Sequence, residues 1–242
     1  MLFICVNMIL FYGTVSKKIK PFAIANNVLA KYTPRGINQE LYVKYLQDPS
    51  VKIVAGVGSA GTGKTLFACE NAIKMLYTGD QNIQKVILTR PLVSVENENI
   101  GFLPGDINCK MSPWLIPIFD IFLEYFTQKE LNQEMQDGVI EISPLGYMRG
   151  RTFKNCIIIA DEVQNATPKQ ILMLATRIGL NSKLVITGDM NQSDLKTQNG
   201  LDFFVSRMKN STSFEDIKMV EFSDIDVERS DVVKHVLKLL QD

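Results

Sequence analysis

The stretch VAGVGSAGTGKTLFACE, residues 54–70, decides the fold. An apolar run enters a glycine-rich turn, and a Lys-Thr pair then opens a helical pattern. Gly58, Gly63, Lys64 and Thr65 satisfy the spacing G-x-x-x-x-G-K-[ST]. Such a turn wraps a polyphosphate with consecutive backbone N–H groups, here those of Gly58, Ser59, Ala60, Gly61, Thr62, Gly63 and Lys64. Its glycines permit both the dihedrals and the close approach. The N-terminus of the following helix favours the same anion. Lys64 is expected to reach the β- and γ-phosphates, and Thr65 to offer its hydroxyl to Mg²⁺. An incidental glycine-rich turn is the alternative, and the strand before it and helix after it speak against that.

Outward from this turn, short apolar runs alternate with helical periodicity. Helices are expected over residues 38–48, 64–76, 113–125, 129–136, 167–177, 199–209 and 227–240. Strands are expected at 51–57, 85–90, 138–142, 156–160, 183–187 and 218–222. Thr167 followed by Pro168 reads as an N-cap and first-turn pair. The alternation implies one α/β domain, a mostly parallel sheet covered by helices on both faces. That domain is expected over residues 30–242, with an insertion at about 91–138. Residues 1–29 are expected to form an apolar N-terminal strand or extension. Their run MLFICVNMILFYGTV is too short to span a bilayer, and Lys17, Lys18 and Lys20 follow it where a secretory signal needs them before. No membrane partner is expected.

The chain carries 26 Lys and Arg against 26 Asp and Glu, which excludes a global basic field for nucleic acid but leaves room for a local one. Cysteines at 5, 69, 109 and 156 form no C-x-x-C pair, so they suit a reducing compartment and argue against a structural metal. His235, the one histidine, reads as a packing or surface residue.

A phosphate cradle needs acidic groups facing it. The strand CIIIA releases Asp161 and Glu162 at its C-terminal end, the edge where ligands gather in open α/β sheets. Asp161 is expected to orient water in the Mg²⁺ shell, and Glu162 to polarise an attacking water. This pair favours hydrolysis, with a phosphotransferase using a small acceptor as the alternative. The strand KLVIT releases Gly188, Asp189 and Gln192 at the same edge. Gln192 is placed to bond the γ-phosphate or the lytic water, and an Asp-capped turn is the plainer reading.

Together these pieces resemble the PhoH-like family of P-loop ATPases, which bacteria and phages carry. The matching text includes GSAGTGKT, LTRPLVSVENENIGFLPG, SPLGYMRGRTFKNCIIIADEVQNAT, TRIGLNSKLVITGDMNQSD and DIDVERSDVVKHVL, and it extends over roughly residues 30–240. The resemblance implies a RecA-like core related to the first motor domain of superfamily 1 helicases. It implies ATP as the nucleotide, a ring-like homo-oligomer with a hexamer as the expected size, and a bacterial or phage-infected cytoplasm. By the same comparison Gln39 bonds the adenine edge, Tyr42 packs near the base, and Gln192 senses the γ-phosphate. Val57, Ser59 and Asn199 depart from the family's usual residues without removing a charge or ligand.

One RecA-like domain lacks the second domain that donates arginine to a superfamily 1 site. The stabilising guanidinium is therefore sought among Arg90, Arg149, Arg151, Arg177 and Arg229. Arg229, surrounded by acids, and Arg177, taken to lie beside the TGD loop, lead the set, and a plain ion pair is the alternative for each. Nucleic acid, RNA before DNA, is expected at YMRGRTFKN, where Arg149, Arg151 and Lys154 alternate with Tyr147 and Phe153. Lys110, after GFLPG, is expected in a pore-facing or subunit-facing loop, with a plain surface loop as the alternative. The reading is an ATPase coupled to nucleic acid; a nucleotide-gated assembly protein with incidental turnover is its rival.

Overall fold

A computed structural model describes residues 31–78, 82–91, 107–195, 199–211 and 214–228, with Val232 and Leu239. The expected N-terminal extension, the GFLPG segment, Arg229 and nearly all of the expected last helix lie outside the described residues.

Helix α1, Ile37–Gln47, precedes strand β1, Ile53–Gly58, and α2, Lys64–Thr78, follows the glycine turn. Then come β2, Lys85–Thr89, helices α3, Ile107–Leu123, and α4, Gln128–Gln136, and a three-residue β3, Ile140–Ile142. Strand β4, Cys156–Ala160, leads to α5, Pro168–Ala175; β5, Lys183–Gly188, leads to α6, Gly200–Asn210; β6, Ile217–Phe222, closes the sheet. Among the described residues all six strands are parallel, in the order β3-β2-β4-β5-β1-β6.

Period-two alternation sorts the strand side chains into two cores. Ile157 and Ile159 of β4 join Phe67, Ile73, Leu115 and Phe122 on the face covered by α2 and α3. Ile158 and Ala160 join Ile171, Leu174, Leu201 and Val205 beneath α5 and α6. Parallel strands need crossovers, and these place helices on both faces. The expected α/β architecture is the one observed.

Local chemistry sets the helix starts. The Thr167 hydroxyl accepts from the Gln170 N–H, the Gln170 side chain accepts from the Thr167 N–H, and Pro168 fills the first turn of α5. Thr127 and Glu130 repeat that box at α4, and the Asn199 side chain accepts from Leu201 and Asp202 at α6. Two expectations need correction. Helix α3 begins at Ile107 rather than at Pro113, so Lys110 stands in its first turn and not in a loop. The segment 144–155, expected to offer Phe153 to nucleic acid, is partly core instead: Leu145, Met148 and Phe153 are buried beneath α5.

Candidate active site

The order β4-β5-β1 brings three carboxyl-terminal strand ends side by side. The glycine turn leaves β1, Asp161 and Glu162 leave β4, and Gly188 and Asp189 end β5. One cleft is lined by Ala60, Gly61, Gly63 to Leu66, Asp161, Glu162, Gly188, Asp189 and Gln192. The two acids thus share a sheet edge with Lys64.

Gly58 starts the turn at φ +139°, and a β-carbon there would lie 2.1 Å from the Phe222 carbonyl oxygen of β6. Only glycine fits both that dihedral and that approach. The Lys64 ammonium is folded onto the turn, donating to the carbonyls of Gly58 (2.7 Å) and Ser59 (2.6 Å) and to the Thr62 hydroxyl (3.2 Å). Burial lowers its pKa, and the carboxylates of Asp189, Glu162 and Asp161 oppose that shift.

Asp161 is buried, and its N–H continues the sheet ladder to the Thr89 carbonyl at 3.0 Å. One carboxylate oxygen, Oδ1, accepts from the Thr65 hydroxyl at 2.7 Å and from the Thr187 hydroxyl at 2.6 Å. Hydroxyl and carboxylate oxygens are the hard donors that suit Mg²⁺, which takes one or two protein oxygens and keeps phosphate and water for the rest. Thr65 and Asp161 fit that role as a pair.

Glu162 occupies the left-handed region, φ 55° and ψ 40°, a conformation that costs a non-glycine residue about 1–3 kcal/mol. Its Oε1 faces the Arg90 Nη2 at 3.7 Å, and its Oε2 accepts from the Gln164 side-chain amide. Gln192 is exposed at the cleft, its N–H donating to the Asp189 carbonyl at 3.2 Å.

Gln39 lies behind the glycine turn. Its Oε1 accepts from the Arg35 N–H (2.8 Å), and its Nε2 donates to the Thr62 carbonyl and to Glu228 Oε1, each at 3.2 Å. Glu228 also donates its N–H to the Gly61 carbonyl at 2.9 Å and pairs with Arg35. Gln39 therefore braces the turn, with both amide N–H groups given to protein acceptors. Tyr42 corrects another expectation: it is 0% exposed and packs edge-to-face on Phe222, so it reaches no base.

The basic residues are spread out. Arg177 precedes β5 and so stands at the amino edge of the sheet, away from Gly188 and Asp189. Its guanidinium bonds the carbonyls of Met173 and Arg151 and the Thr176 hydroxyl. Its expected place beside the TGD loop is overturned because that loop leaves the other end of the same strand. Arg151 pairs with Glu141 at 2.6 Å and lies over the buried Phe153 ring, which is thereby unable to stack on a base. Arg149, Lys154 and Tyr147 are exposed. Among the described residues no arginine lines the cleft itself.

Two residues at the site escaped sequence reasoning. Thr187 reads as one more strand residue, although a hydroxyl closing an apolar run beside Gly-Asp is a usable signal. Gln164 sits in DEVQN among polar neighbours, and nothing in that text marks it as 1% exposed.

A sequence model of the family described as PhoH-like protein matches residues 31–241. A PhoH-like protein of Synechocystis sp. is 38% identical over 222 residues, covering 89% of this chain and 64% of that protein. One of Bacillus subtilis is 41% identical over 188 residues, covering 77% and 57%. The chain thus spans about three fifths of the length of these curated relatives. Among solved structures, the Pif1 helicase of Candida albicans aligns over 87% of this chain and 44% of that one, with a TM-score of 0.42 at 11% identity. No helix among the described residues is long and apolar enough to cross a membrane.

Proposed function

Because this chain belongs to the PhoH-like family, with its P-loop NTPase domain of the RecA-like type, we propose that it is a Mg²⁺-dependent ATPase, forming ATP's products ADP and phosphate. The observation that carries this reading is the shared cleft in which Lys64, the Thr65–Asp161 pair and Glu162 converge. A bland loop cluster would not aim two threonine hydroxyls at one buried carboxylate oxygen.

Each residue then has a task. The turn amides bind the phosphates, and Lys64 exchanges its carbonyl partners for phosphate oxygens when nucleotide enters. Thr65 and Asp161 would hold Mg²⁺. When bound, the metal neutralises charge building on the phosphates. Glu162 accepts the proton of the attacking water. Gln192 is the γ-phosphate contact, and Gln39 acts on the nucleotide through the turn it braces. The stabilising guanidinium comes from Arg90, which already faces Glu162 at 3.7 Å, from Arg229 or from a neighbouring subunit, with Arg177 at the far edge open to a role only across such a boundary. An arginine of that kind is worth roughly 10³–10⁵ in rate, so where a neighbouring subunit donates it, turnover depends on a ring-like homo-oligomer, a hexamer in this reading. Exposed Arg149, Lys154 and Tyr147 supply phosphate and stacking contacts to single-stranded nucleic acid, RNA in preference to DNA. The work is cytoplasmic, in the bacterium or the phage-infected host.

Phosphate release is measured against protein concentration, with and without single-stranded RNA or DNA, for the parent and for Glu162→Gln. The reading expects cooperative dependence on concentration, stimulation by polymer, and a Glu162→Gln variant that binds ATP without turning it over. Turnover that no polymer stimulates would favour the nucleotide-gated assembly protein.

A further inference from the structure

Glu162 has a left-handed backbone and a side chain 35% exposed, so its carboxylate is not fixed by packing. A base must be held within hydrogen-bond reach of the proton it takes, and rotamer freedom works against that. The structure supplies one buried group that restrains it. Gln164 Nε2 donates to Glu162 Oε2, leaving Oε1 toward Arg90 and the cleft.

The other end of the same amide is also engaged. Gln164 Oε1 accepts from the Asp189 N–H at 3.1 Å, and Nε2 lies 3.4 Å from the Gln192 carbonyl. The Ser193 hydroxyl donates to the Gln164 carbonyl at 3.0 Å. Next in the chain, Asn165 Oδ1 accepts from the Asp194 N–H at 2.9 Å, and its Nδ2 donates to the Asp194 carboxylate at 3.2 Å. The turn after β4 and the loop after β5 are thus fastened along their length. Gly188 leaves room for this: a β-carbon there would lie 2.6 Å from Gln164 Oε1.

We infer that Gln164 is the positioning residue of the water-activating carboxylate, tying Glu162 to the loop that carries Gln192. This rests on Glu162 being the base. A shift of residues 189–192 as Gln192 meets a γ-phosphate moves the Asp189 N–H, and the rigid planar amide passes that shift to Glu162. Such a link times water activation to the presence of the phosphate to be cleaved.

The test uses the full chain with ATP and Mg²⁺, and the variants Gln164→Met, Glu162→Gln and their double. Gln164→Met is expected to lower kcat by roughly 10–100-fold, since a misplacement of about 1 Å at a reacting group can cost about 100-fold. Affinity for a non-hydrolysable ATP analogue should stay within about threefold, since the interaction acts on the reacting water rather than on uniform binding. In the slow residual, single-turnover hydrolysis of the Glu162→Gln background the same change should cost less than about twofold, because the residues act as a unit. The near-isosteric Gln164→Glu, which keeps an acceptor for Asp189 and sets a like charge against Glu162, should show the same kcat loss if Gln164→Met melts early. Parallel loss of kcat and nucleotide affinity, or losses that multiply in the double variant, would overturn the inference. An inactive Glu162→Gln beside a parent-like Gln164→Met would overturn this inference alone. Parent-like turnover by Glu162→Gln would remove the base itself and this inference with it.

Discussion

Thr187 and Thr65 converge on one oxygen of a buried carboxylate, and their two hydroxyls fix the Asp161 side chain. A hydrogen bond to a charged group is worth about 1.5–3 kcal/mol. Thr187→Val keeps the volume and deletes the donor, so Asp161 is expected to lose its fixed rotamer. A Mg²⁺ titration of phosphate release should then require several-fold more metal for half-maximal turnover, with ATP-analogue affinity nearly unchanged. Gly188→Ala acts on the same neighbourhood by bulk. Its methyl would meet Gln164 Oε1 at 2.6 Å and Leu201 Cδ2 at 2.7 Å, both in the packed interior. Overpacking of this kind costs about 1–3 kcal/mol, so a lowered melting temperature together with reduced turnover is expected in thermal melts and phosphate assays. Lys64, Thr65, Asp161 and Glu162 were all readable in the text, since each stands at a fixed offset from a strand end. Gln164 was not, because its burial depends on a loop about 25 residues later in the chain.

Among the elements, α1 is held to the sheet by a lysine from another strand. Lys183, at the start of β5, donates to the carbonyls of Tyr45, Leu46 and Asp48 at the C-terminus of α1. Burial pushes its pKa down to about 8, against an attraction from Asp48 and helped by repulsion from Lys52. The unfolded chain keeps a lysine near 10.4. Between about pH 8 and 10.4 the unfolded state therefore binds more protons than the native one, and the stability contribution of this group rises with pH. Below about pH 8 both states are charged and the burial cost is fully present. Melts of the parent and Lys183→Met at pH 7.5 and 9.5 should show the difference moving in the parent's favour at the higher pH. The strand carrying Lys183 was legible from its apolar run, but the lysine's helix partner was not, since α1 lies some 135 residues earlier.

For the whole molecule, net charge of zero confines any nucleic-acid contact to a local surface. Arg149 and Lys154 are exposed on that surface, whereas Arg151 is spent on Glu141 and Phe153. Replacing Arg149 and Lys154 together by Ala should weaken single-stranded RNA binding about equally for all sequences. The slope of log K against log salt should flatten by about 1.4, from two phosphate contacts at about 0.7 each. Binding isotherms between 50 and 200 mM salt check this, the range in which such contacts lose most of their affinity. An unchanged slope would move the interface elsewhere on the fold.

The sequence by itself determined the glycine turn with its Lys-Thr pair, the acidic strand end and the parallel α/β plan. Those depend on local spacing, on alternation of apolar residues and on the need to satisfy backbone groups within each element. Only the tertiary structure decided which of the remaining polar residues face the cleft. The strand order β4-β5-β1 sets Thr187 and Gln164 against the acids, and the packing of α1 and of the segment before β4 buries Tyr42 and Phe153 in the two cores. Neighbourhood across a sheet is a property of strand order, and short-range periodicity carries no information about which distant strand end will arrive alongside.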